Sequence, residues 1–313
     1  LECLREMLRT IPKHKGTDHL QADIKSRIKQ LTEELAGPRK GGARTGPSTV
    51  IRPEGAAQIA LVGPPNAGKS ALHANLTGST AQTGPYPFTT QFPQPGMLTY
   101  EDIHFQLIDL PAVAHDHPVP WLANALQPAD ACLLIVDLSN PECVDQVTAV
   151  HAILRERRVM LTPRWNETAV AEEDEVVDPF VIHLPTLMIA TKGDKIPHLR
   201  QELDVFEELT ALHYPVIAVS TTTGEGLDRI APWLFTHLGI VRVYTKTPGQ
   251  PADKDRPFTV RRGETVYDVA VLVHKEIAQS LKYARLWRND KQQGQQVGRE
   301  HLVADGDILE LHA

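Results

Sequence analysis

The sequence predicts an α/β protein of the P-loop NTPase class, with a doubly wound, mostly parallel sheet, an N-terminal helical hairpin and a small C-terminal α+β module. Three observations carry this expectation. Gly63-Pro64-Pro65-Asn66-Ala67-Gly68-Lys69-Ser70 fits G-x-x-x-x-G-K-[ST], a loop whose backbone N–H groups cradle phosphates. Apolar runs at 59–62, 103–108, 131–136, 186–190 and 215–219 alternate with helical patterns, as in a parallel sheet covered by helices. Gly/Pro-rich breaks divide the 313 residues into a hairpin (1–38), a linker (39–55), a nucleotide-binding domain (56–240), a second linker (241–255) and the terminal module (256–313).

At the N-terminus, Leu1, Leu4, Leu8 and Ile11 fall at helical spacing, and Leu20, Ile24, Ile28, Leu31 and Leu35 do so again after the break from Pro12 to Gly16. Lys13, Lys15, Lys25, Arg27 and Lys29 form either a solvated face or a basic face for RNA. Charge is uneven along the chain. The net −7 divides into +5 for residues 1–52, −13 for 53–253 and +1 for 254–313, which favours nucleic-acid contact at the ends over the middle.

The P-loop sits between the apolar run Ile59–Val62 and the helical pattern starting at Ala71. A strand before and a helix after aim the loop's N–H groups and the helix N-terminus at one anionic ligand. Lys69 is expected to reach the outer phosphates and Ser70 to place its hydroxyl on a magnesium ion. Next, Gly84-Pro85-Tyr86-Pro87-Phe88-Thr89-Thr90 is a Pro-punctuated loop in which one threonine can add a hydroxyl to the metal. Asp109 ends the strand-like run before Leu110-Pro111-Ala112 and is suited to hold magnesium, directly or through water.

Thr191-Lys192-Gly193-Asp194 follows another apolar run. The Asp194 carboxylate can accept both donors on one edge of guanine, while adenine would leave it unpaired. The Lys192 stem can lie along the base and ribose. Ser220-Thr221-Thr222 ends the run at Val219, where a backbone N–H can meet the guanine O6. Residues 155–183, with Arg164-Trp165 and a cluster of acids, read as an acidic surface loop inserted before a strand. His115-x-His117 reads as part of a polar loop, since no third ligand is implied.

In the terminal module, Phe258–Val260 reads as a strand, Thr265 to about Ser280 as a helix, Tyr283–Arg288 as an alternating strand and Ile308–Leu311 as the last strand. Three cysteines without a framework fit a reducing, cytoplasmic compartment. No apolar run nears the ~20 residues that span a bilayer and no leader is evident, so no membrane partner is expected.

The P-loop, the threonine loop, Asp109, Thr191–Asp194 and Ser220 stand in the order found in GTP-binding proteins. Tyr86-Pro87-Phe88-Thr89-Thr90 resembles the switch loop of the Obg and developmentally regulated GTP-binding families. Lys15-Gly16-Thr17-Asp18-His19-Leu20 and the helix after it resemble the second family's N-terminal hairpin, and the last sixty residues resemble a TGS domain, a ubiquitin-like β-grasp module. The resemblance implies GTP/GDP binding through Gly63, Pro64, Asn66, Ala67, Gly68, Lys69, Ser70, Ala71, Asp109, Ala112, Thr191, Lys192, Asp194, Ser220, Thr221 and Thr222. It also implies Mg2+ on Ser70, Thr90 (or Thr89) and Asp109, and slow hydrolysis served by Lys69, Thr89 and Thr90. Ribosome or RNA contact through the hairpin and the TGS module, and a protein partner, follow from the same resemblance.

Three residues depart from the pattern. Ala112 stands where the family has glycine, Val113 where many GTPases carry a water-orienting glutamine, and Thr191 where asparagine is usual. Asn66 occupies a P-loop position that in some related GTPases helps hold K+. Two readings follow: a slow Mg-dependent GTPase, or a nucleotide-gated RNA- or ribosome-binding module with negligible hydrolysis.

Overall fold

The computed structural model describes residues 2–11, 18–35, 48–79, 90–165, 178–288 and 294–313. The chain divides into two units, Leu1–Pro47 and Ser48–Ala313. The first holds α1 (Glu2–Thr10) and α2 (Asp18–Leu35). Ile24 on the apolar stripe of α2 is fully buried, while Lys25 and Lys29 are exposed. Residues 39–47 of the expected linker 39–55, Lys13 and Lys15 lie outside the described residues.

The second unit opens with β1 (Ala57–Val62), α3 (Lys69–Thr77), β2 (Gln94–Tyr100), β3 (Ile103–Asp109), α4 (Leu122–Leu126), β4 (Ala131–Asp137) and α5 (Cys143–Glu156). It continues with β5 (Val159–Thr162), β6 (Ile182–Thr191), α6 (Leu199–Thr210), β7 (Val216–Ala218) and α7 (Ile230–His237). Strand order is β2-β3-β1-β4-β6-β5, with β7 also on β6. Every pair is parallel except β2–β3. β5 pairs with residues 182–185 of the ten-residue β6 and β7 with residues 188–190, so two short strands occupy successive stretches of one long one.

The sheet is doubly wound because its strands are apolar on both faces. All six residues of β1 and all seven of β4 are buried. Ile59, Leu61, Leu133 and Ile135 pack in one core with Leu72 of α3 and Ile230 and Leu234 of α7. Ala60, Val62, Leu134 and Val136 face the other core, with Leu122 and Leu126 of α4, Val147 and Val150 of α5 and Phe206 of α6.

Two regions differ from expectation. β2 was unexpected because Gln94-Pro95-Gly96-Met97 is polar and Pro/Gly-containing; it forms as an antiparallel sheet edge, where such residues are tolerated. The stretch 155–183 is not simply an inserted loop. Val159–Thr162 is strand β5, and Trp165 folds back to donate its indole N–H to the Thr186 carbonyl (3.1 Å) and meet Trp233 edge-on at 4.5 Å. The acids from Glu167 to Glu175 lie outside the described residues.

β8 (Ile240–Thr245), β9 (Asp253–Arg261), α8 (Val266–Val273), α9 (Lys275–Ser280), β10 (Tyr283–Trp287), β11 (Gln295–Val297) and β12 (Asp307–His312) complete the chain. They make a five-stranded sheet, β11-β10-β12-β8-β9, packed on α8 and α9 through Val241, Val243, Val269, Leu286 and Leu309. The expected linker 241–255 is therefore corrected: most of β8 and the start of β9 lie in it. Ile240 packs in the core of the larger sheet, whereas Val241 and Val243 pack in that of the smaller one, so one strand serves both. The expected helix 265–280 is two helices, interrupted at extended His274, whose Nδ1 accepts the Glu276 N–H.

The two sheets are also tied by side chains. The Arg242 guanidinium forks onto Asp305 (3.0 and 2.8 Å) and reaches Asp102 (3.0 Å) and Glu101 in the β2–β3 turn, while Tyr244 donates to Asp102. Arg261 pairs with Asp130 at 2.8 Å.

Burial, with Arg155 one turn away, pushes His151 of α5 down to about 4; the ring is stacked on Tyr214. The unfolded chain therefore binds more protons than the native one between about pH 6.5 and 4, so stability falls as pH drops through that window. His151→Gln should flatten this part of the stability–pH profile measured by urea unfolding; an unchanged slope would refute the assignment.

Candidate nucleotide site

The site lies at the carboxyl ends of β1, β3, β4 and β6, where ligands bind in open α/β sheets. A Cβ on Gly63 would stand 2.5 Å from the Ile135 carbonyl oxygen, so the chain leaving β1 passes directly against β4. Val113 closes the opposite side by donating its N–H to the Gly63 carbonyl at 3.1 Å. Asn66 (φ 59°) and Gly68 (φ 95°) take left-handed backbone, which turns the loop into the first residue of α3. Asn66 is exposed at the crest.

Lys69 is buried, and its ammonium donates to the carbonyls of Gly63 (3.0 Å) and Pro64 (2.8 Å). Burial pushes its pKa down to about 8, with the Asp109 charge opposing that fall. Ser70 donates to Asp109 Oδ2 at 2.6 Å; Thr90 donates to the same oxygen at 3.2 Å and lies 3.1 Å from the Ser70 hydroxyl. Asp109 is 1% exposed, and its Oδ1 has no hydrogen-bond partner among the described residues. An orphaned carboxylate oxygen beside two hydroxyls is a hard-oxygen set that fits Mg2+. Among the described residues, no group of three His, Cys, Asp or Glu side chains is placed to hold a metal.

The second half of the site is tied to the first through Thr191. Its hydroxyl is 2.7 Å from the Ala67 carbonyl of the P-loop and 3.2 Å from that of Val136. The residue is 2% exposed, and its hydroxyl joins the P-loop to the ends of β4 and β6. Lys192 has left-handed backbone (φ 56°) and its ammonium is paired with Asp137 at the end of β4. Asp137 is held in turn by the Ser139 N–H (3.0 Å) and hydroxyl (2.6 Å). The sequence reading missed Asp137; the available signal was an acid directly after the apolar run 131–136.

Asp194 is exposed in a 3-10 turn, Gly193–Lys195, anchored by the Gly193 N–H on the Val219 carbonyl (3.0 Å). Ser220 is buried, and its hydroxyl accepts the N–H groups of Thr222 (3.2 Å) and Thr223 (3.1 Å). Thr221 is half-buried and Thr222 exposed. The structure thus gathers the P-loop, Thr90 and Asp109 at one end and Lys192, Asp194 and the Ser220 turn at the other. Thr89 and the rest of the 84–88 loop lie outside the described residues. Ala112 and Val113 are buried, and Val113 packs in the core with Leu110 and Leu122.

Comparison with known proteins agrees with this geometry. Residues 58–165 match a family described as 50S ribosome-binding GTPase, and residues 241–313 match the TGS domain. An uncharacterised GTP-binding protein of Methanocaldococcus jannaschii is 27% identical over 98% of this chain and 90% of its own. Developmentally-regulated G-protein 3 of Arabidopsis thaliana is 26% identical over 98% of this chain and 95% of its own. A GTP-binding protein from Pyrococcus horikoshii shares the fold, with a TM-score of 0.51 and 16% identity over 82% of this chain and 99% of that one.

Thr191→Val keeps the shape but leaves the Ala67 and Val136 carbonyls without their donor. We expect a loss of about 1–3 kcal/mol in urea unfolding and weaker GDP binding in a fluorescence titration. Wild-type values in both would show that the tie between the two half-sites has no energetic weight.

Proposed function

We propose that this chain, similar over most of their length to the developmentally regulated GTP-binding proteins and carrying a P-loop GTPase domain and a TGS domain, hydrolyses GTP slowly to GDP and phosphate with Mg2+ and works with ribosomes or RNA. The observation that carries the reading is the buried Asp109, with one orphaned oxygen, beside Ser70 and Thr90. Ser70, Thr90 and Asp109 would hold the metal, which neutralises charge on the outer phosphates. Lys69 supplies a desolvated ammonium at the same place, and the P-loop N–H groups and the α3 N-terminus orient the phosphates. Asp194 reads guanine, with Lys192 held in position by Asp137.

The slow rate follows from Ala112 and Val113. Neither side chain carries a group that orients water, and Val113 is buried in the core. The same observation supports the second reading, a nucleotide-gated module with negligible turnover. K+ at Asn66 is part of the proposal, since its amide is exposed at the crest of the loop, where a cation would offset charge between the phosphates. No helix among the described residues is long and apolar enough to cross a membrane, and we place the protein in the cytoplasm.

Asp194→Asn should shift preference from GTP to xanthosine triphosphate in a competition assay; unchanged GTP affinity would sink the base-reading role. Single-turnover hydrolysis, with and without ribosomes, should be slow and faster in potassium than in sodium, and Asn66→Ala should abolish that difference. Equal turnover in both salts removes the K+ site, and no turnover under any condition selects the nucleotide-gated module.

A further inference from the structure

Val113 carries no polar group, yet it fixes the start of the segment that follows β3. The Gly63 carbonyl accepts two donors at once, the Lys69 ammonium (3.0 Å) and the Val113 N–H (3.1 Å). In a P-loop this lysine reaches the outer phosphates. The backbone just after β3 is therefore held at the end of the site that takes the outermost phosphate. A tight turn comes next. The His117 N–H donates to the Ala114 carbonyl (3.3 Å), and Ala114 and His117 form an antiparallel bridge, which leaves His115 and Asp116 at the tip. The segment is anchored on both sides of the turn, by Val113 in the core and by Val119 packed against the same core. His115 is two residues past the Val113 tie, so their Cα atoms are within about 8 Å of each other.

Attack of water on the outermost phosphate is helped by a group that accepts a hydrogen bond from that water. The side chains beside the Gly63 carbonyl do not offer one. Lys69 is a donor only. Ser70 and Thr90 both donate to Asp109, which accepts from them and suits the metal. Ala112 and Val113 are apolar and buried. On the turn itself, Asp116 faces His117 Nδ1 at 3.6 Å. His115 is exposed and has no hydrogen-bond or ion-pair partner among the described residues. A neutral imidazole has one acceptor nitrogen and one donor, so it can hold a water and take its proton.

We propose that His115 is a catalytic residue for GTP hydrolysis, which holds the attacking water and accepts its proton. The water oxygen bonds to the γ-phosphorus. The bond from that phosphorus to the β–γ bridging oxygen breaks, and its electron pair stays on GDP. The proton then passes from His115 to the released phosphate or to solvent. The proposal rests on the GTPase reading above and supplies the acceptor that Val113 lacks.

The chain is assayed for single-turnover hydrolysis of GTP with Mg2+, with and without ribosomes, and for its affinity for GDP and a non-hydrolysable GTP analogue. His115→Ala should lower the rate by about 100-fold and leave both affinities as in wild type. Added imidazole should restore part of that rate. His115→Gln, whose amide oxygen still accepts from water but cannot take its proton, should fall between His115→Ala and wild type. Asp116→Asn and His117→Gln should turn over as wild type. The proposal is overturned if His115→Ala hydrolyses GTP like wild type, if its rate falls only as far as its nucleotide affinity does, if imidazole restores nothing, or if Asp116→Asn or His117→Gln carries the loss instead. Each of those outcomes leaves the GTPase reading standing, because the wild type still turns over. A wild type without turnover under any of these conditions defeats both.

Discussion

The close approach of Gly63 to the Ile135 carbonyl determines where the phosphate loop runs. β1 and β4 are neighbours buried on both faces, so the chain leaving β1 can turn only at the sheet edge, and there the β4 backbone leaves no room for a Cβ. That single contact sets the height of the loop above the strand ends. The Val113 N–H on the Gly63 carbonyl and the Thr191 hydroxyl on the Ala67 carbonyl then hold the loop to the segment that follows β3 and to the end of β6. The P-loop, Asp109 and the Gly193–Lys195 turn thus share one backbone frame, bound by hydrogen bonds that are individually modest and costly to leave unmade.

Thr191 and Asp137 show how that frame allows a departure from the common GTPase pattern. Where asparagine is usual, a threonine hydroxyl reaches the P-loop carbonyl, and Lys192 is steadied by the acid at the end of β4 instead of by a neighbour in sequence. The larger and smaller sheets are joined with similar economy. β8 contributes to both cores, and Arg242 links the turn between β2 and β3 to Asp305. β3 carries Asp109 at its far end, so a continuous hairpin runs from Asp109 to the smaller sheet.

Much of this was legible in the residues. The two-sided strands are continuous Ile/Leu/Val runs, the P-loop has its own spelling, and Asp109 and Asp194 follow apolar runs that could end nowhere but at a strand terminus. β2 and β5 were not legible: one is a polar edge strand with Pro and Gly, the other four residues in an otherwise charged stretch. Their partners, β3 and β6, supply the ladder that their own composition does not announce. The linker expected at 241–255 failed for a related reason, since its Pro/Gly-rich part lies between two strands and hid the apolar alternation of Ile240–Thr245.

Residue order was therefore sufficient for the class of fold, for its kinship with GTP-binding proteins and for which segments meet at the strand ends, because those depend on local pattern and on chemistry carried by single residues. Tertiary structure decided what each side chain touches. It turned Thr191 inward, gave Lys192 its partner in Asp137, left one oxygen of Asp109 unpaired beside Ser70 and Thr90, and set the buried Glu310 between Lys246 and His312. Each of these is a contact between residues far apart in the chain, and no local period or motif encodes such a distance.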